Sequence, residues 1–265
     1  MTEDRARALV AAIGAPAATA PDASWSGRAG DYLKPVGTRF ATFLAQVAGR
    51  PAIVKAEDYT VAELRPVRVH REWLGARLAS RIGLAVPATR LAVHPVVGRL
   101  SVQDFVTGAR RISAEELRRV ATTPEGLRIM LFDVLIANHD RRPDNLLILG
   151  NAVLAIDFNV GFDFAEVPIG WSPTTLMQLW LGIDGMLAFR PDDRQRLDDE
   201  AARIEALLDE NYLADTVAAI GEAFLPGSER ALLLEGLLAR RRTLRRWALD
   251  FWTQHIAPIH RLLET

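Results

Sequence analysis

The stretch from Gly126 to Asp157 constrains this chain more than any other. It opens with a largely apolar segment, GLRIMLFDVLIAN, whose composition predicts a buried helix. Thr123-Pro124-Glu125 stands just ahead of it, with proline at the first helical position. The segment ends in an unbroken polar string, His139-Asp140-Arg141-Arg142-Pro143-Asp144-Asn145. Two short apolar runs follow, LLIL and AVLAID, joined by Gly150-Asn151, a hairpin signal. Asp157 closes the second run, followed by Phe158, Asn159, Val160 and Gly161. A buried helix, a charged loop, a tight hairpin and a terminal aspartate therefore succeed one another.

That order suits phosphoryl transfer. Nucleotide phosphates carry several negative charges, and Mg²⁺ bridges them through hard oxygen ligands, usually one or two carboxylates with phosphates and water. Asn145 and Asp157, on adjacent loops, offer an amide oxygen and a carboxylate. A further aspartate is needed near the substrate hydroxyl to orient it or accept its proton, and Asp140 stands in the right place. Taken singly, each residue also fits a plainer role. Asp140 and Asn145 could be turn formers in a solvated connection, and Asp157 a strand-end turn residue.

Upstream, residues 4–14 predict a short helix, and APAATAPDASWSG a linker. TRFATFLAQV alternates and leads through a turn near Ala48-Gly49-Arg50 into PAIVKA, predicting a hairpin with Lys55 near the end of its second strand. VRVHREWLGARLASRIGL has three- and four-residue apolar spacing and a terminal Gly83, so it predicts a helix. Two strand-like runs follow, TRLAVHPVV and RLSVQDFV. After Gly108 helices take over, the first opened by the capping-box pattern Ser113-Ala114-Glu115-Glu116. From about Pro191 the chain reads as helical. The only lysines are Lys34 and Lys55 among 32 basic residues. The scarcity draws attention to Lys55, because a guanidinium fork does not replace a compact ammonium at every site. Glu72, on the following helix, is placed to pair with it; the plainer alternative is an edge-strand lysine and a solvated glutamate.

Composition narrows the classes. The 265 residues suit one large domain or two packed lobes, and a net charge of -1 gives no global pull toward nucleic acid or anionic membrane. The absence of cysteine excludes disulfides, thiolate chemistry and cysteine-bound zinc, and fits a reducing cytoplasm. The arginine bias fits a high-GC bacterial source. The N-terminal stretch lacks a signal-peptide pattern, and no apolar run approaches the roughly 20 residues a membrane span needs. Arg240-Arg241-Arg242 with Arg245-Arg246 predicts a solvated face of a C-terminal helix in preference to a nucleic-acid patch. Trp171, Leu176, Met177, Trp180 and Leu181 predict core of the second lobe.

Asn138-His139-Asp140-Arg141-Arg142-Pro143-Asp144-Asn145 resembles the N-x-D-R-x-x-x-N catalytic loop of HipA-like kinases. Phosphatidylinositol 3- and 4-kinases and actin-fragmin kinases have similar loops. Glu72-Trp73-Leu74-Gly75-Ala76-Arg77-Leu78-Ala79, leading to Gly83-Leu84-Ala85-Val86-Pro87, is similar to the helix and turn of HipA-like domains. The resemblance runs from about Tyr32 to Asp163. It implies an α+β, protein-kinase-like bilobal fold. Residues 1–24 would form an N-terminal helix and linker, 25–107 a small β-rich lobe, and 108–265 a larger helical lobe. It implies ATP and Mg²⁺ as cofactors, with Asp140 catalytic, Asn145 and Asp157 on the metal, and Lys55 on phosphate with Glu72 as partner. Gln103, Asp104, Phe105 and Val106 would meet the adenine, and the turn Pro35-Val36-Gly37-Thr38-Arg39 would cover the phosphates, through Gly37 and Thr38. The acceptor would be a hydroxyl of a protein Ser or Thr, with a small molecule or phosphoinositide as the alternative, or else the chain would be a non-catalytic pseudokinase. Nucleic acid is not an expected partner. The chain departs from the family at Arg142, where a histidine is usual, and at Phe158-Asn159, where the kinase pattern has Phe-Gly. It has no G-x-G-x-x-G and is short for a full HipA toxin.

Overall fold

The structure is a computed structural model that describes residues 34–35, 42–47, 50–58, 68–94, 98–164 and 172–263. The expected N-terminal helix, the turn at residues 36–39 (with Gly37 and Thr38) and Trp171 lie outside the described residues. The chain divides into two compact units: Met1–Ala76 with Pro87–Thr107, and Arg77–Val86 with Gly108–Thr265.

The first unit is an antiparallel sheet with a helical segment. Its strands are β1 (Lys34–Pro35), β2 (Thr42–Val47), β3 (Arg50–Ala56), β4 (Thr89–His94) and β5 (Gly98–Asp104), in the order β1-β2-β3-β5-β4. Strand β3 is central, and Lys55 lies opposite Thr42 on one side and Ser101 on the other. Its outer end is open to solvent, but Val54, Lys55 and Ala56 are all buried, so both sheet faces are covered there. On helix α1 (Val69–Arg81), Val69, Glu72, Leu74 and Ala76 are buried. Its start is fastened by Glu57, whose Oε2 accepts the Val69 N–H at 3.2 Å. A carboxylate there also suits the positive end of the helix dipole.

The second unit takes the end of α1. Gly83 adopts φ +82, Leu84 N–H reaches Ala79 O at 3.0 Å, and Gly83 N–H reaches Ser80 O at 3.0 Å. This is a Schellman ending, which favours a residue without Cβ. The chain then runs beside a second small sheet, β6 (Arg110–Arg111), β7 (Leu146–Leu149) and β8 (Ala152–Ala155), in the order β6-β7-β8. Ala85 forms a parallel bridge to Leu154, and its carbonyl accepts the Ala155 N–H at 3.0 Å. The β7–β8 turn holds Gly150 at φ +60. The pairing of β6 with β7 is not apparent from a two-residue arginine segment; it exists because β7 offers a free ladder edge.

Helix α2 (Ala114–Ala121) carries the full capping box of Ser113 and Glu116, and α3 (Pro124–Leu135) is capped by the Thr123 side chain. Helix α3 is the centre of this unit. Leu127, Ile129, Met130, Leu131, Phe132 and Leu135 are fully buried. Burying each such side chain is worth about 1.5–3 kcal/mol. Around it pack α4 (Pro173–Leu187), α5 (Asp193–Leu207), α7 (Gly227–Arg241) and α8 (Leu244–Phe251). Helix α6 (Glu210–Ala218) packs on α7, and a π-helical turn at Trp252–Ile256 leads into α9 (Ala257–Leu263). Leu176, Met177, Trp180 and Leu181 are buried, as core should be. Among the described residues no helix is long and apolar enough to cross a membrane.

Candidate active site

In the first unit Lys55 and Glu72 form an ion pair, with the ammonium on the Glu72 Oε1. Lys55 is 8% exposed and Glu72 2%. In a pair this buried each charge offsets the cost of burying the other. At the far end of β5, Gln103 is buried and Asp104 and Phe105 are exposed. The Asp104 N–H donates to Ala88 O at 2.9 Å and the Phe105 N–H to Pro51 O at 3.1 Å. Those two donors are thus engaged within the sheet unit. For a purine edge to meet this segment, Val106 and the backbone carbonyls are the groups to consider.

In the second unit the polar loop begins where α3 stops. The Asn138 N–H reaches Asp133 O at 2.8 Å, and the Ala137 N–H reaches Val134 O at 3.2 Å. This is again a Schellman ending, but Ala137 stands at φ 56 where glycine is usual. A non-glycine residue there is strained, and strain beside a loop of this kind is held by its surroundings. Asn138 is buried and locked: its Nδ2 donates to Asp133 Oδ1 at 2.9 Å, and its Oδ1 accepts the Asp140 N–H at 3.4 Å. Asp140 itself is partly exposed, at 37% of its side chain, and its Oδ2 meets the Arg142 Nη2 at 3.1 Å. The residue that departs from the family pattern therefore touches the candidate catalytic carboxylate.

Asn145 ends a short 3₁₀ turn, Pro143–Asn145. Its Nδ2 donates to the Asp140 carbonyl at 2.9 Å, which leaves the amide oxygen as the end able to serve a cation. Its backbone carbonyl accepts the Ile156 N–H at 3.1 Å, so the loop and the end of β8 are stitched together one residue before Asp157. Asp157 has φ 64, a left-handed conformation that aspartate tolerates better than most residues. Downstream, the Phe162 N–H donates to Ile136 O at 2.5 Å, returning the segment to the end of α3. Among the described residues no three His, Cys, Asp or Glu side chains cluster as a metal cage. One carboxylate and one amide oxygen on stitched segments nevertheless fit Mg²⁺, which takes few protein ligands and completes its shell with phosphate and water.

The sequence shows Arg141 only as a member of the quoted loop and Arg240 only as a member of the arginine run, and does not single out Asp133. Asp133 and Arg141 form a bidentate ion pair at 2.8 and 2.9 Å. A lone carboxylate inside an apolar helix signals a buried partner, and the cation-rich loop just beyond supplies it. Arg240 reaches from α7 to the last carbonyls of α3, Leu135 O at 2.9 Å and Val134 O at 2.5 Å. Burial lowers its pKa to about 10, and its guanidinium lies over the Trp247 ring at 4.9 Å. The C-terminal arginine run is thus split: Arg240 turns inward, and Arg242, Arg245 and Arg246 face solvent. Arg241 bonds Glu205 O, Arg242 pairs with Glu210, and Arg245 pairs with Asp198. These bonds fix helices to one another, while Arg242, Arg245 and Arg246 stay exposed.

No protein-family model matches the chain, and no curated protein matches it by sequence. Solved structures do. The Helicobacter pylori proinflammatory kinase CtkA aligns with a TM-score of 0.56 at 13% identity, over 85% of this chain and 97% of that one. A chain of the Shewanella oneidensis toxin–antitoxin complex of HipA, HipB and operator DNA aligns with a TM-score of 0.51 at 15% identity, over 82% of this chain and 70% of that one. The chain has a HipA-like kinase fold. Its small antiparallel sheet unit and larger helical unit are the α+β architecture expected of that fold. At these identities the likeness is one of fold, and the chemistry has to be argued from the site.

Proposed function

We propose that this chain is an ATP- and Mg²⁺-dependent phosphotransferase that moves the γ-phosphoryl group to a hydroxyl, that of a protein Ser or Thr, in the cytoplasm. Residues 25–107 act as the phosphate-binding lobe and 108–265 as the catalytic lobe. The observation that carries this reading is the stitching of Asn145 to the residue before Asp157, next to a partly exposed Asp140. Asn145 and Asp157 hold the Mg²⁺ that neutralises phosphate charge. Asp140 orients the acceptor hydroxyl and takes its proton. Lys55, held by Glu72, contacts phosphate as a point charge. Gln103 to Val106 line the adenine, and Gly37 and Thr38 belong to the covering turn.

The test is a melt with and without ATP, each with and without Mg²⁺, on the parent and on Asp157→Ala. A ligand at about 100 times its dissociation constant stabilises by about 2.7 kcal/mol. The expected outcome is a Mg²⁺-dependent rise in the parent that Asp157→Ala abolishes. Transfer from ATP to peptide, lipid and small-molecule pools then identifies the acceptor, and Asp140→Asn should cut that transfer by about 10²–10⁴ without lowering the melt. A parent indifferent to ATP and Mg²⁺ would leave a partner-binding module instead.

A further inference from the structure

We infer that Arg141 is the positioning residue of this site, and that it acts on Asp157 through the main chain without touching the ligand. The inference rests on the phosphotransferase reading and assigns a part that reading leaves open. Asp157 must present its carboxylate from a left-handed backbone, φ 64, at the end of a four-residue strand. Something other than local preference has to hold it there.

Arg141 contacts both flanks of Asp157. Its Nη1 donates to Ile156 O at 2.5 Å and to Asn145 O at 3.0 Å. The first is the carbonyl of the peptide bond that enters Asp157. The second is the carbonyl that also accepts the Ile156 N–H. On the other flank the guanidinium lies over the Phe158 ring, 5.2 Å from its centroid. Phe158 is fully buried and edge-on to Phe132 of α3 at 5.8 Å. The remaining nitrogens, Nε and Nη2, are spent on the two oxygens of Asp133, also on α3. One planar fork thus ties the helix, the loop and the strand end, and its own residue adjoins Asp140.

The chemistry requires arginine. The donors are rigidly spread in one plane, so two can grip a carboxylate while a third reaches two carbonyls. A lysine ammonium has the charge but not the spread, and it cannot stack on the ring in the same way. With the side chain of Arg141 only 3% exposed, water cannot stand in for the lost donors.

The experiment compares Arg141→Lys with Leu127→Ala, a change in the core of α3 that removes stability without touching the loop. Two quantities are read. One is the Mg²⁺ concentration for half of the ATP-induced rise in melting temperature. The other is the hydrogen-exchange rate of the Ile156 amide in the ligand-free protein. Arg141→Lys should raise the Mg²⁺ half-point at least tenfold and speed Ile156 exchange at least tenfold. Leu127→Ala, at a comparable fall in ligand-free melting temperature, should leave the half-point within twofold. If Arg141→Lys does not fold, Asp133→Asn replaces it, with the same two shifts expected in smaller measure. A lowered melt with an unmoved Mg²⁺ half-point in both variants makes Arg141 a structural residue only and overturns the inference. A parent with no Mg²⁺-dependent rise overturns the phosphotransferase reading first, and this inference with it.

Discussion

Two ion pairs buried among the described residues look alike and differ in geometry. Lys55 and Glu72 join a central strand to a helix in the sheet unit; Arg141 and Asp133 join a loop to a helix in the helical unit. The first pair is a point charge against one carboxylate oxygen. The second is a fork against two oxygens and two carbonyls. An ammonium presents charge in a small volume, so it suits contact with a mobile anion such as phosphate. A guanidinium presents fixed directions, so it suits holding backbone in a fixed place. Burial alone does not say which role a cation plays; the geometry of its partners does.

Truncating each cation would sharpen the contrast. Removing one partner of a buried pair costs about 3–5 kcal/mol, because the other charge is left uncompensated. Arg141→Met is expected at the upper end or beyond, since Asn145 O and Ile156 O lose a donor as well. Lys55→Met is expected lower in that range. Urea midpoints with unchanged slopes give both values. A larger loss for Lys55→Met would break the comparison.

Acid should weaken the sheet unit in particular. His70 lies on α1, two residues from Glu72, and is buried, its Nδ1 without a hydrogen-bond partner among the described residues. Burial, with Arg71, Arg68 and Arg99 adding repulsion, lowers its pKa from 6.5 to about 3. The folded state therefore holds His70 neutral while the unfolded state takes up a proton below pH 6.5. That contribution is complete above 6.5 and is lost as pH falls toward 3, by about 1.4 kcal/mol per pH unit. His70→Gln should flatten this part of the stability–pH curve relative to the parent. Parallel curves would remove His70 as the cause.

The smallest effect belongs to an exposed pair. Arg119 and Glu115 meet on α2 with side chains 74% and 67% exposed. Arg119→Ala should change stability by no more than about 0.5 kcal/mol. If it cost as much as Lys55→Met, burial would not be what separates these pairs.

Several parts of the molecule are legible from residue order because their causes are local. Ser113 with Glu116 and Thr123 with Pro124 announce helix starts, Gly83 announces an end, and Gly150-Asn151 turns a hairpin. Each depends on groups within a few residues. The order of elements likewise puts Lys55 on a strand and Glu72 on the next helix. What is not legible depends on distance. Arg240 caps α3 from 105 residues away at Leu135. The arginine run looks like a solvated face in sequence because its acceptors, on Glu205, Glu210 and Asp198, are 36, 32 and 47 residues away. The engagement of the Asp104 and Phe105 N–H groups is invisible for the same reason, since Ala88 and Pro51 become neighbours only in the folded sheet.

The sequence by itself determined the kinds of groups at the site and the local elements that carry them, because capping, turn formation and helical burial follow from short-range sterics and hydrogen bonding. Only the tertiary structure decided how those groups are held. The left-handed backbone at Asp157, the occupied fork of Arg141 and the closure of α3 by Arg240 each need partners from separate segments. A guanidinium has many possible acceptors in a chain, and folding leaves it near only a few.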